Sequence, residues 1–69
     1  MKTQKFENDK SLISVEATTL RETDQAVLFD FGLPEEVWIP KSQLEEWPDE
    51  DDFGEVWIKE WIAKEKGII

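Results

Sequence analysis

From Ile13 to Thr19, every second side chain suits a protein interior and the ones between are polar. Ile13, Val15, Ala17 and Thr19 form one set, and Ser14, Glu16 and Thr18 form the other. Successive side chains of a β-strand point to opposite faces, so a period of two is typical of a strand that is buried on one side only. The pattern therefore predicts a first β-strand.

Further apolar runs, each bounded by turn-forming residues, extend this strand into a sheet. Residues 26–31 are strongly β-prone and follow a polar turn at 21–24, which together predict a hairpin. A Gly-Leu-Pro turn precedes a third strand at 36–39, which ends at Pro40 because proline has no amide hydrogen to donate. These three strands form a meander, and a later strand is predicted at 55–59.

Two segments of the second half differ from this pattern. Residues 41–47 predict either a helical turn, with Ser42 as its cap and Glu45 completing a capping box, or a short fourth strand. Residues 60–67 contain good helix formers and end in Gly67, which suits a helix C-terminus. We therefore expect about two turns of helix near the end of the chain.

The elements together predict a mainly β fold in one domain, since 69 residues hold no more than one. We expect a small antiparallel meander of four or five strands with a short C-terminal helix, and closure into an SH3-like barrel is the alternative form. Residues 11–69 form this domain, and residues 1–10 are expected to be a flexible N-terminal arm. The predicted buried residues are Ile13, Val15, Leu28, Val37, Ile39, Val56, Ile58 and Ile62.

The chain contains no histidine, cysteine or tyrosine. Disulfides, thiolate nucleophiles and imidazole bases are therefore excluded, together with the metal sites that depend on these ligands. The serines have no histidine to activate them, and so small a domain seldom encloses a substrate cleft. We expect a protein that is not an enzyme and that uses no cofactor.

Residues 49–60 imitate part of a calcium-binding loop. Positions one, three, six and twelve of an EF-hand would be Asp49, Asp51, Gly54 and Glu60. Position five requires an oxygen donor but holds Phe53, and the preceding Pro48 prevents a regular helix from running into the loop. We therefore predict no metal site and interpret the segment as an acidic loop between two strands.

Negative charge is concentrated in one part of the chain. The net charge is −9, and residues 45–55 carry seven acidic residues and no basic one. The acidic residues of this stretch are Glu45, Glu46, Asp49, Glu50, Asp51, Asp52 and Glu55. One interpretation is a mobile, solvated loop. The other is phosphate imitation, in which carboxylates on a rigid β framework occupy the Lys and Arg sites of a nucleic-acid-binding protein.

Aromatic side chains supply the apolar contact that charge alone lacks. The sequence EVWI occurs at 36–39 and again at 55–58, so Trp38 and Trp57 are predicted to share the face opposite the buried Val and Ile residues. Trp47 and Phe53 lie within the acidic stretch. Any of these rings is a candidate anchor for a partner, although core packing is the alternative role for at least two of the four tryptophans.

Two segments, VWIPKSQ at 37–43 and WIAKEKGI at 61–68, resemble sequences in small orphan proteins of bacteriophages and mobile elements, a likeness that covers about residues 25–69. The profile of small size, strong acidity and no catalytic residues also resembles anti-CRISPR proteins, particularly inhibitors of type I systems. The second resemblance implies an inhibitor that blocks target-DNA binding by occupying a basic surface. It implies no catalytic positions in this chain.

The leading hypothesis is therefore an acidic, DNA-mimic-like inhibitor of a host nucleic-acid-binding complex, with a CRISPR effector as the expected partner. Its candidate binding residues are the seven acids of 45–55 together with Trp38, Trp47 and Trp57. The alternative is a small, non-enzymatic interaction module of phage or bacterial origin that binds through an exposed tryptophan face. We expect a monomer or homodimer in the host bacterial cytoplasm, with no direct nucleic-acid or membrane binding.

Overall fold

The computed structural model describes residues 11–69, so the predicted arm at 1–10 lies outside the described residues. The strands are β1 (Leu12–Glu22), β2 (Ala26–Asp30), β3 (Val37–Pro40), β4 (Leu44–Glu46) and β5 (Phe53–Lys59). A 3-10 helix (Lys41–Gln43) joins β3 to β4, and the helix α1 (Glu60–Glu65) follows β5. The prediction of a mainly β fold, with an antiparallel sheet of four or five strands and a short C-terminal helix, is confirmed, and the sheet has five strands.

The strands lie in the order β3-β2-β1-β5-β4, with every neighbouring pair antiparallel. The eleven-residue β1 is central because its two halves pair with different strands. Its first half, up to Thr18, pairs with β5, and its second half, from Thr18 onward, pairs with β2. The β1–β2 register shifts between Thr19 and Arg21, an irregularity of the kind that bends a strand.

The sheet curls because its two edge strands, β3 and β4, are joined by a connection of only three residues. Only the three residues of the 3-10 helix separate Pro40 at the end of β3 from Leu44 at the start of β4, a path of about 8 Å. In a flat sheet five strands would hold these edges about 19 Å apart. The ladder nevertheless ends at β3 and β4, so within residues 11–69 hydrogen bonds do not close the sheet into an SH3-like barrel.

The core lies on the inner face of the curled sheet, where α1 also packs. Its fully buried apolar side chains are Ala17, Val27, Phe29, Ile39, Val56, Ile58, Ile62 and Ala63. Ile13, Val15 and Val37, which the sequence predicts to be buried, are partly exposed but pack against this cluster. Leu28 is half-buried, and its neighbours Val27 and Phe29 are in the core instead. Phe29 pairs with the buried Thr19 of β1, and this register determines which side chains of β2 face the core.

The segment 41–47 contains part of each predicted alternative. A single 3-10 turn comes first and the three-residue β4 follows. The turn begins after Pro40, which makes no side-chain capping bond, so the capping box expected at Ser42 and Glu45 does not form. Instead the amide of Lys41 donates to the carbonyl oxygen of Gln25 at 2.8 Å, which ties this turn to the β1–β2 loop.

Helix α1 ends at Glu65, and Gly67 follows as the capping glycine that the sequence predicts. The amide of Gly67 donates to the carbonyl oxygen of Lys64 (3.1 Å), and the amide of Ile68 donates to that of Ala63 (2.8 Å). Together with the positive φ of 75° at Gly67, this is a Schellman motif. Ile68 consequently folds back onto the core.

Candidate partner-binding surface

The acidic loop, defined here as residues 48–52, is fastened to β1 through one buried polar residue, Thr19. The Thr19 amide donates to the carbonyl oxygen of Asp52 (3.0 Å), and the Asp51 amide donates to that of Thr19 (2.7 Å). The Thr19 hydroxyl donates to the carbonyl oxygen of Pro48 at 2.8 Å. Three hydrogen bonds between the fully buried Thr19 and the loop, two donated and one accepted by Thr19, therefore hold both ends of the loop.

Contacts within the loop and with β5 add to this attachment. The Asp52 amide donates to the carbonyl oxygen of Asp49 at 3.0 Å, which closes a tight turn. Asp51 completes the turn with a φ of 71°, a left-handed conformation that Asp tolerates better than most residues. Pro48 packs closely against β5, since a Cβ at Gly54 would lie 3.3 Å from Pro48 Cγ. The loop backbone is thus fixed in position.

A second cluster centres on Glu22 at the end of β1. Its carboxylate accepts a hydrogen bond from the indole Nε1 of Trp47 (3.2 Å) and forms an ion pair with Lys41 (2.8 Å). Its amide donates to the carboxylate of Glu50 at 2.8 Å. The hydrogen bond with Lys41, followed by that from Trp47, lowers the pKa of Glu22 below its ordinary value of 4.5. Glu22 thereby connects β1, the 3-10 helix and the acidic loop.

Beside this cluster lies an open hollow of about 380 Å³, here called the acidic depression. It is lined by Glu22, Glu45, Glu46, Trp47 and Asp49. The ammonium group of Lys41 lies 5.9 Å from the centre of the Trp47 ring, but it is already paired with Glu22. Three acids of the predicted stretch thus meet a fourth carboxylate and an indole at one place on the surface.

The other four acids of the stretch lie elsewhere. Glu50 is turned toward the backbone of Glu22, and Asp51 and Asp52 are exposed at the turn of the loop. Glu55 belongs to β5, where it is the direct cross-strand neighbour of Glu16. The seven acids therefore do not form one surface, and the structure divides them between the acidic depression, the loop and the β1–β5 ladder.

The candidate tryptophans also separate. Trp47 is half-buried and, of the four tryptophans, is the one that packs against the core. Trp38 is 44% exposed on the edge strand β3, and Trp57 is half-buried on β5. Both alternate with buried residues and so share the outer face, as the EVWI pattern predicts. They lie three strands apart in sheet order, about 14 Å along the sheet, and form separate contacts.

Sequence reasoning missed several residues of this surface. Trp61 on α1 is 47% exposed, and its indole Nε1 donates to the side-chain oxygen of Gln43 at 3.1 Å. The two apolar residues that follow it, Ile62 and Ala63, indicate the buried face of the helix, and this pattern would have predicted that Trp61 faces outward. Glu16 and Glu22 lie far from 45–55 in the sequence, so only strand pairing and the curled sheet bring them to the acidic stretch.

Residues 11–69 contain neither a cluster of metal-binding side chains nor a helix that could span a membrane. The structure places no group of three or more acidic side chains in that range in an arrangement that would hold a metal ion. No helix in the same range has the length and apolar character needed to cross a membrane. Comparison with protein-family models, with curated proteins and with solved structures gives no match for this chain.

Proposed function

We propose that this protein is an acidic, DNA-mimic-like inhibitor that binds the basic, nucleic-acid-binding surface of a host protein complex. The observation that carries the proposal is the attachment of the acidic loop to buried Thr19, with three backbone and side-chain hydrogen bonds of 2.7 to 3.0 Å. Carboxylates on a fixed backbone keep their spacing, so they occupy Lys and Arg sites without a large ordering cost on binding.

The charge of the surface supports the same partner chemistry. Glu45, Glu46 and Asp49 line the acidic depression, and the ammonium group of Lys41 beside the Trp47 ring is paired with Glu22. The depression therefore keeps an excess of negative charge with an indole in its wall. A basic groove that normally holds phosphates is complementary to it, and the expected partner class is a type I CRISPR effector, from the resemblance in profile.

The test is inhibition of target-DNA binding by a purified type I effector, followed by gel shift. The binding variant reverses Glu45, Glu46, Asp49 and Asp52 to Lys, and it leaves Glu50 and Asp51 in place because they shape the loop. The matched control reverses Asp24, Glu35, Glu36 and Glu65, which are exposed and do not line the acidic depression. Each variant changes the net charge from −9 to −1, since every reversal adds two units.

We expect the unmodified protein and the control to inhibit, and the binding variant to lose inhibition by a factor of at least about 100, as for several lost phosphate-like contacts. Inhibition by the unmodified protein should also weaken steeply between about 50 and 200 mM salt. Equal loss in both variants would mean that bulk charge, not this surface, is responsible.

A second candidate function rests on Trp38. Its ring is 44% exposed on an edge strand and lies directly across from half-buried Leu28. Within residues 11–69, no hydrogen bond of the Trp38 indole explains why this ring is exposed. An interaction module would use this pair as its anchor. In that case Trp38→Ala abolishes partner binding, the four reversals at Glu45, Glu46, Asp49 and Asp52 have little effect, and salt dependence is weak.

A further inference from the structure

The outer face of the β1–β5 ladder carries a carboxylate between two aromatic rings. Val56 and Ile58 of β5 are fully buried, so the alternating positions Phe53, Glu55 and Trp57 face outward. Two residues along a strand span about 7 Å, which places Glu55 between the Phe53 and Trp57 side chains. Phe53 is 66% exposed, the highest value among the large apolar side chains of residues 11–69.

Strand pairing adds a second carboxylate to this row. Glu16 of β1 lies directly opposite Glu55, and small residues, Ser14 and Thr18, lie opposite the two rings. Directly opposed side chains have Cβ atoms about 5 Å apart, so two like charges there destabilise the ladder. The ion pairs of residues 11–69 are Lys41 with Glu22 and Lys64 with Glu60, and neither compensates this pair.

We infer that this face binds an arginine side chain of a protein partner. A guanidinium group pairs with two carboxylates through its fork of N–H donors and stacks on aromatic faces, whereas an ammonium group pairs as a point charge. The opposed carboxylates supply the acceptors and the flanking rings supply the stacking surface. Binding also relieves the repulsion between Glu16 and Glu55. This charge complementarity identifies the occupant as cationic, and the aromatic rings select arginine.

The inference deepens the proposed function and rests on it, because the arginine is then one that contacts nucleic acid in the partner's basic surface. Phe53 directly follows Asp52 of the acidic loop, so the face and the loop are continuous. One approach of a basic surface would therefore engage both the carboxylates of the loop and the aromatic row.

The experiment titrates the isotope-labelled protein with a hexa-arginine peptide and with a hexalysine peptide at the same low ionic strength, and follows amide and indole NMR signals. We expect hexa-arginine to shift the signals of Glu16, Glu55 and Trp57 and to bind about fivefold more tightly than hexalysine, the factor expected from ring stacking. The double variant Glu16→Gln, Glu55→Gln should lose this preference. The matched double variant Glu35→Gln, Glu36→Gln, at exposed positions just before β3, should retain it.

A further variant separates binding from folding. Glu16→Lys places opposite charges across the ladder, so it should raise the denaturant midpoint while it removes the preference for arginine. Loss of binding then does not reflect a damaged fold.

Three results overturn the inference: equal affinity for the two peptides, shifts confined to the acidic depression, or shifts of the same signals with protein concentration alone, which would assign the face to a second copy of the chain. The first two leave the proposed inhibitor intact. A retained preference for arginine without any inhibition of DNA binding would instead reject the proposed function and leave the arginine site.

Discussion

Thr19 shows how one residue decides the order of a whole loop. It is fully buried, and its amide, carbonyl and hydroxyl groups all bond to residues 48–52. Without the Thr19 hydroxyl, the partly buried carbonyl of Pro48 would be left without this donor and only partly able to bond to water instead. The hydroxyl of Thr19 therefore matters more to the loop than its size suggests.

Replacing Thr19 by Val keeps the shape of the side chain but removes the donor to Pro48. We expect the free energy of unfolding to fall by about 1 kcal/mol, as for the loss of a partly buried hydrogen bond. Urea unfolding followed by tryptophan fluorescence measures this. The control is Thr18→Val, at a half-buried position on the opposite face, where we expect a change within about 0.5 kcal/mol. Equal effects at the two positions would remove the special role of Thr19.

Glu22 makes stability depend on pH. Its folded-state pKa is lowered, chiefly by Lys41 and then by Trp47, so the ionised form is favoured by folding. The resulting stabilisation is present above the ordinary pKa of 4.5 and is lost as the pH falls through the folded-state value. The stability difference between the unmodified protein and Glu22→Gln should therefore be larger at pH 7 than at pH 3.

Urea unfolding of both proteins at the two pH values measures that difference. Glu65→Gln serves as control because Glu65 is exposed at the end of α1 and lies outside the cluster. A Glu22→Gln deficit that stays constant with pH would show that the carboxylate is not the stabilising group.

At the scale of elements, the C-terminal helix depends on its last turn. Six residues are too few for a stable isolated helix, so α1 relies on Ile62, Ala63 and the returning Ile68 for packing. The return of the chain requires the left-handed conformation at Gly67. The cap and the packing of the helix are therefore a single structural unit.

Gly67→Ala introduces a Cβ at a φ of 75° and should lower the free energy of unfolding by about 1 kcal/mol. Nothing lies within 4 Å of the added Cβ, so the cost is conformational and not steric. Gly67→Asn should cost less, because Asn tolerates this region better. Thermal unfolding followed by circular dichroism measures both, and a larger loss for Asn than for Ala would contradict the explanation.

Sequence patterns identified most elements because the patterns are local. Alternation in β1, β-prone composition in β2 and a terminal glycine after α1 are each read within a few residues. The segment 41–47 was ambiguous because it contains both a short turn and a short strand. The prediction that Leu28 is buried is wrong. Val27, Leu28 and Phe29 are all apolar, and only pairing with β1 determines which of them face the core.

For the whole molecule, electrostatic repulsion opposes folding. A net charge of −9 on 69 residues, with Glu16 opposite Glu55 and four carboxylates around the acidic depression, destabilises the compact state. Salt screens this repulsion, since the Debye length falls from about 30 Å at 0.01 M to about 3 Å at 1 M. The ionic strength of the solution should therefore influence stability strongly.

We expect the melting temperature to rise as sodium chloride is added, by about 4 to 8 °C for each kcal/mol of repulsion that is screened. Scanning calorimetry measures the rise. The variant that reverses Glu45, Glu46, Asp49 and Asp52 should show a smaller rise, because its repulsion is already reduced. The same rise in both proteins would mean that screening of this surface does not determine the stability.

The amino-acid sequence by itself determined the class of fold, the main strands, the C-terminal cap and the concentration of acidic residues, because each depends on neighbours along the chain. Tertiary structure alone decided how that charge is arranged. It divided the seven acids between the acidic depression, the acidic loop and the β1–β5 ladder, brought Glu22 to the depression and Glu16 to the ladder, and fixed the loop on Thr19. These are contacts between residues about 25 to 40 positions apart, which depend on strand order and register and therefore leave no local pattern.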